Sequence, residues 1–234
     1  MVEPSARVEL ADRAAYLPTA DALVCADLHL GRDDAAPVEL PLGERTRLPD
    51  RIDALLDRFD PAELVLAGDI VHAFGDVPDH VEDTLGHLID AADAAGARPV
   101  LLEGNHDTIL SSIAPVSLKS SHRLNDDTLV VHGHESPSNV SDVDRIVFGH
   151  VHPAIVIEGR RRPCYLRDAD ATPTRLVLPA FNTLAPGTPL NDTRSSDLPS
   201  PLLDRTTSAR PIVWDPDADE TLWFPPLPSF REML

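Results

Sequence analysis

Three consecutive residues, Asn105, His106 and Asp107, carry the parts of a hydrolytic site. The Asn105 amide oxygen can serve as a ligand to a hard cation. The His106 imidazole is a titratable group that can hand a proton to a departing oxygen. Asp107 can orient that imidazole through a hydrogen bond. With Gly104 in front, the same four residues also read as an ordinary turn. What points to a site is that four further stretches repeat this chemistry.

Asp27-Leu28-His29 sets a carboxylate and an imidazole two residues apart, and on an extended segment both would face one side. Gly68-Asp69 offers a carboxylate whose two oxygens can bridge two cations, with a glycine that allows close backbone approach. His132-Gly133-His134 and Gly149-His150-Val151-His152 each bring two imidazoles two residues apart. The candidate ligands are Asp27, His29, Asp69, Asn105, His132, His150 and His152, a set of nitrogen and oxygen donors without a thiolate. Such a set suits Mn²⁺, Fe²⁺ or Zn²⁺ better than Ca²⁺ or a structural zinc. It is too large for one tetrahedral ion. It fits two ions sharing one carboxylate, and sites with ions about 3.5–4 Å apart are built for in-line displacement at phosphorus. His134 is expected behind the ligands, and His72 in a loop or helix-cap role. His80, His87 and His122 fit no group and are expected at the surface.

Every candidate group follows a short apolar run. Residues 22–26, 63–67, 99–102, 128–131 and 145–148 read as buried strands. Apolar residues at helical spacing predict helices over 43–59, through Leu48, Ile52, Leu55, Leu56 and Phe59, and over 77–95, through Val81, Leu85, Leu88, Ile89 and Ala92. Alternating strands and helices predict a parallel sheet in an α/β protein, with ligands gathered beyond the carboxyl ends of the strands. Further strands are expected at 6–10, 14–17, 154–158, 175–178, 211–214 and 221–224. The polar stretches 32–42, 159–174 and 185–210 are expected to be loops, the last two exposed. A single domain over 1–234 is the simplest organisation.

The formal charge is −19, and Lys119 is the lone lysine beside nineteen arginines. Acids spread along the chain repel one another at low salt, and concentrated salt screens them. A halophilic source with a salt-rich cytoplasm is expected. The same charge opposes broad, nonspecific grip on nucleic acid at low salt. Cys25 and Cys164 offer no disulfide framework. Neither a membrane span nor a signal peptide is evident, and the expected location is the cytoplasm.

The ordered blocks Asp27-x-His29, Gly68-Asp69, Gly104-Asn105-His106-Asp107, His132 and Gly149-His150-x-His152 resemble the calcineurin-like metallophosphoesterase superfamily. With Leu30-Gly31, Gly133-His134, Pro153-Ala154 and Leu178-Pro179-Ala180-Phe181-Asn182, they are most similar to its ICC-like phosphoesterases, some of which accompany a DNA ligase and a helicase. The resemblance implies a four-layer αββα sandwich, two mixed sheets flanked by helices. It implies one ion on Asp27, His29 and His152, a second on Asn105, His132 and His150, and Asp69 between them. His106 would act as general acid, oriented by Asp107. The activity expected is hydrolysis of phosphoesters by water that two divalent ions, manganese first and iron or zinc next, have activated. A phosphodiesterase acting on DNA or another nucleic acid is favoured over a phosphomonoesterase or nucleotide hydrolase. A partner-binding scaffold is the non-enzymatic alternative; scaffolds on this fold usually lose ligands, and here each position is filled.

Overall fold

Strands that are apolar at every position need cover on both faces. In the computed structural model, β3 (Ala22–Cys25) is a central strand of this kind, and β4 (Glu63–Ala67) is one after its first residue. Residues 8–32, 44–72, 79–110, 117–138, 140–203 and 208–233 are described, so the expected features at 6–7, 33–43 and 77–78 lie outside them.

The first sheet runs β1 (Glu9–Ala11), β2 (Ala14–Leu17), β3, β4, β5 (Arg98–Leu102) and β6 (Leu118–Lys119) in spatial order. Its first three strands are antiparallel and β3 to β6 are parallel. Alternate residues of each strand face opposite sides. Leu23, Cys25, Leu64 and Leu66 meet helices α1 (Glu44–Phe59) and α2 (Asp79–Ala94) through Leu48, Ile52, Leu55, Leu56, Val81, Leu85, Leu88 and Ala92. These are the helix faces expected from the spacing.

Ala22, Val24, Val65 and Ala67 face the other way and pack on a second sheet through Val130, Val147, Tyr165, Leu176 and Ile212. That sheet runs β16 (Glu220–Trp223), β15 (Arg210–Asp215), β12 (Tyr165–Asp168), β13 (Thr174–Val177), β9 (Arg145–Phe148), β8 (Thr128–Val131) and β7 (Ser121–Arg123). Its outer face, with Leu129, Phe148, Leu166 and Val213, is covered by Ile155 of a small three-stranded sheet, by Leu202 and Leu203, and by α3 (Leu227–Glu232). The small sheet consists of β11 (Arg160–Pro163), β10 (Pro153–Ile157) and β14 (Thr188–Pro189). The result is the expected α/β sandwich built on two mixed sheets. No helix of the described residues is long and apolar enough to cross a membrane.

Two stretches depart from expectation. Residues 159–174, expected as an exposed loop, carry β11 and β12, and Cys164, Tyr165 and Leu166 are buried. Arg160, Arg161 and Arg162 hid the strand signal because β11 lies at a sheet edge, where charged side chains are tolerated. In the described part of 185–210, which leaves out 204–207, Ala185, Leu190, Leu198, Leu202, Leu203 and Ala209 are buried and serve as core cover.

Register levels the strand ends. Cys25 pairs with Leu66 and Leu66 with Leu101 in one sheet; Val131 pairs with Phe148 and Phe148 with Val177 in the other. The parallel strands therefore end together, and each hands its polar residues to the same rim.

Candidate metal centre

Asp27 follows β3, Asp69 follows β4, Asn105 follows β5, His132 follows β8, and His150 and His152 follow β9. The structure brings these residues and His29 together as two groups that share one carboxylate. Ligand atoms of Asp27, His29, Asp69 and His152 lie within 4.8 Å of one another, as do those of Asp69, His132 and His150. Asn105 joins the second group, with Oδ1 3.1 Å from His132 Nε2. The two Asp69 oxygens divide: Oδ1 is 3.3 Å from His132 Nε2, and Oδ2 is 4.0 Å from His29 Nε2.

The side chains do not converge by strand alternation, as the two-residue spacing suggested. Asp27 (φ 58°), His29 (φ 45°), Asp69 (φ 48°), His150 (φ 64°) and His152 (φ 47°) all have left-handed backbone. Few residues other than glycine adopt it, at a cost of about 1–3 kcal/mol each, and such strain gathers at functional sites. The chain coils sharply past each strand end and turns these side chains inward. Close approach adds a second requirement. A Cβ on Gly104 would lie 2.3 Å from Asp69 Oδ1, and one on Gly149 would lie 2.4 Å from Asp27 Oδ2.

The hydrogen bonds of Asp107 run to main chain. Its Oδ1 accepts the backbone N–H groups of Ile70 and Val71 at 2.8 and 3.0 Å, and its Oδ2 accepts that of Gly104 at 2.8 Å. The carboxylate ties the loop after β4 to the loop after β5. The His106 main chain is tied to the centre: its N–H donates to Asp69 Oδ1 at 2.9 Å. The ring lies partly exposed at the mouth, with Nε2 3.9 Å from Asp69 Oδ2. It stacks on His72 with centroids 5.8 Å apart and meets His29 edge-on at 5.5 Å.

The electrostatics favour a cation. Asp27 and Asp69 are buried, and among the described residues their ion-pair contacts are all to imidazoles, none to lysine or arginine. Burial alone would raise the Asp69 carboxyl, but His132, the His106 N–H and His29 hold it well below the usual carboxylate range. Burial works against charge on His132 as well, yet Asp69 and Asp27 hold it above its ordinary value. At His29 burial prevails over the pull of Asp27 and brings the imidazole down to about 3. His150 is lowered by burial and by His132. Buried carboxylates facing imidazoles that burial keeps neutral, as at His29 and His150, want a positive charge between them.

The spacing fits as well. Ligands about 2.1 Å from one ion lie about 3.0–3.4 Å from each other. His29 Nε2 and His152 Nε2 are 3.3 Å apart, His152 Nε2 and Asp27 Oδ1 3.2 Å, and His132 Nε2 and His150 Nδ1 3.2 Å. His132 Nδ1 lies 3.1 Å from the Ala67 carbonyl, which can only accept, so Nδ1 carries the proton and Nε2 keeps its lone pair.

His134 packs on His132 and His150, and His72 on His29 and His106, so both border the centre. His122 is not a surface residue. Its Nε2 contacts Glu63 Oε2 at 2.7 Å and links the two sheets. Asn182 was not anticipated as a supporting residue. Its Nδ2 donates to the carbonyls of Leu28 and His29, at 2.9 and 3.2 Å, and pins the coil that carries Asp27 and His29. Arg13 in turn donates to the Ala180 and Asn182 carbonyls. The signal was the Leu178–Asn182 block itself, which follows a strand as the ligand groups do.

Residues 21–140, just over half the chain, match the family model described as calcineurin-like phosphoesterase. No curated protein sequence matches the chain. Among solved structures it is similar to the Pseudomonas putida nuclease MPE, with 24% identity over 92% of this chain and 93% of that one and a TM-score of 0.64. It also matches YfcE, a phosphoesterase from E. coli, with 14% identity, 86% and 96% coverage and a TM-score of 0.43.

Proposed function

The chain belongs to the calcineurin-like phosphoesterase family, and from that premise we propose that it hydrolyses phosphodiesters at a centre of two divalent cations. Membership makes it a hydrolase of phosphoester bonds; the ion count, the metal and the diester are our reading. One observation carries the reading: Asp69 belongs to both ligand groups, with one oxygen toward each. Asp27, His29 and His152 would hold one ion, Asn105, His132 and His150 the other, and Asp69 both. Manganese is the first choice, with iron or zinc next, because the donors mix imidazole with hard oxygen.

Bound divalent cations would supply the acidity that makes water a nucleophile near neutral pH, and positive charge for the phosphoryl oxygens. The chain's own residues do the rest. Left-handed turns and the Asn182 and Asp107 hydrogen bonds fix the ligands before substrate arrives, so little reorganisation remains for the reaction. His106, at the mouth and tethered to Asp69 through its N–H, donates a proton from its ring to the departing alkoxide.

A diester is favoured over a monoester on charge. The cleft beside the centre contains Glu103 and Glu135 and no lysine or arginine among its described lining residues. A monoester dianion carries one more negative charge than a diester, with no guanidinium there to meet it. The fold shared with a nuclease makes nucleic acid the first natural diester to assay. The −19 charge and single lysine support a salt-rich cytoplasm, so the assay belongs in molar KCl. The test is turnover of bis-p-nitrophenyl phosphate against p-nitrophenyl phosphate with added Mn²⁺. Faster cleavage of the diester supports the reading. Metal-loaded protein inert on both substrates would point to a scaffold.

A further inference from the structure

A cleft of about 500 Å³ opens directly from the second ligand group and shares Asn105 and His132 with it. Its walls come from the loop after β5, the β6–β7 turn and the segment after β8. Beyond the candidate ligands they present hydroxyls, among them Thr108, Ser121 and Ser136, and the carboxylates Glu103 and Glu135. No arginine, lysine, phenylalanine, tyrosine or tryptophan is among the described lining residues.

This lining differs from what binds a nucleic-acid strand. Backbone phosphates are met by lysine and arginine, and unpaired bases by aromatic faces. Here a substituent finds hydroxyl partners for hydrogen bonds and negative charge for anything anionic. Glu103 and Glu135 are exposed, so neither carboxylate is desolvated until a ligand arrives.

We propose that this cleft receives the part of the substrate beyond the scissile phosphate, and that Glu103 and Glu135 select substituents that are hydroxylated and uncharged while rejecting those that carry further phosphates. The inference rests on the phosphodiesterase reading, because it assumes that the scissile phosphate sits at the adjoining centre. It narrows the substrate class to small diesters with sugar-like or polyol substituents, or to a strand terminus that places a free hydroxyl in the cleft. It also gives the acidic surface a functional consequence. Rejection of polyanions is strong in dilute buffer and fades as salt screens the two carboxylates.

The test is equilibrium binding by calorimetry to the Mn²⁺-loaded full chain. The probes are glycerol 3-phosphate and glycerol 1,3-bisphosphate, which differ by one phosphate in place of a hydroxyl. The variant is Glu103→Gln/Glu135→Gln, at exposed positions. Wild type should prefer the monophosphate, and the variant should shift that preference toward the bisphosphate by about tenfold in dilute salt. In molar KCl the wild-type preference should fall toward that of the variant. The same ratio in both proteins, with no response to salt, overturns the inference. Failure here is separable from failure of the parent reading. A protein that cleaves bis-p-nitrophenyl phosphate but shows no ratio shift loses the cleft's selectivity alone. A protein that shows the shift but cleaves no diester loses the phosphodiesterase reading alone.

Discussion

The Nε2 atoms of His29 and His152 face each other at 3.3 Å, and His152 Nε2 lies 3.2 Å from Asp27 Oδ1. Two imidazole lone pairs at that distance need a proton or a cation between them. Burial, which brings His29 down to about 3, keeps that ring neutral and so able to offer a ligand. The pair belongs to one ligand group alone, which makes it a selective handle. His152→Ala should reduce bound manganese from about two ions per chain to about one and slow diester cleavage roughly a hundredfold or more. Elemental analysis of dialysed protein checks the first part. Unchanged metal content would remove His152 from the ligand set.

His106 borders the centre, and its ring lies outside both ligand groups. His106→Ala should therefore retain its metal and lose roughly 100- to 10,000-fold in turnover, the usual worth of a general acid. The loss should be smallest on substrates with good leaving groups, which need no proton. A variant as fast as wild type on a poor leaving group would refute the acid role.

Asp107 satisfies three buried N–H donors from two loops. Asp107→Ala should lower stability by at least about 2 kcal/mol, because stranded buried donors cost about 1–3 kcal/mol each. Urea unfolding measures it. A turnover defect with stability unchanged would instead favour the orienting role expected from the sequence.

Most of what reads directly from the sequence is chemistry at strand ends. β2, β4, β8 and β9 lie at the expected residues, because strands covered on both faces leave uninterrupted apolar runs. The ligand types were legible since buried imidazoles and carboxylates have few structural uses. What was hidden is how the chain turns. Nothing local marks Asp27 or His150 as left-handed, because the strain is imposed by packing elsewhere. The partners of Asp107 and Asn182 were equally hidden. Ile70, Val71, Leu28 and His29 are more than thirty residues away, and a backbone N–H or carbonyl has no sequence signature. His122 looked like a surface residue because its carboxylate partner, Glu63, starts a strand of the other sheet.

That tie between sheets has a pH signature. Burial would raise the Glu63 carboxyl, but His122 and Arg98 hold it below its ordinary value of 4.5. A depressed folded value means that the stabilisation is present above 4.5 and is lost as pH falls below it. Glu63 is 22% exposed, so the contribution is about 1 kcal/mol. Glu63→Gln should be less stable than wild type by that amount near pH 6, and the two should converge by about pH 3. A difference that grows on acidification would contradict the sign.

The central claim is that Asp69 stands between two cations. Crystals grown with Mn²⁺ and measured at its absorption edge test it directly by anomalous scattering. The account predicts two peaks about 3.5–4 Å apart, one beside His29 and His152, the other beside His132 and His150, with an Asp69 oxygen against each. A single peak, or two peaks that Asp69 does not touch, would contradict it.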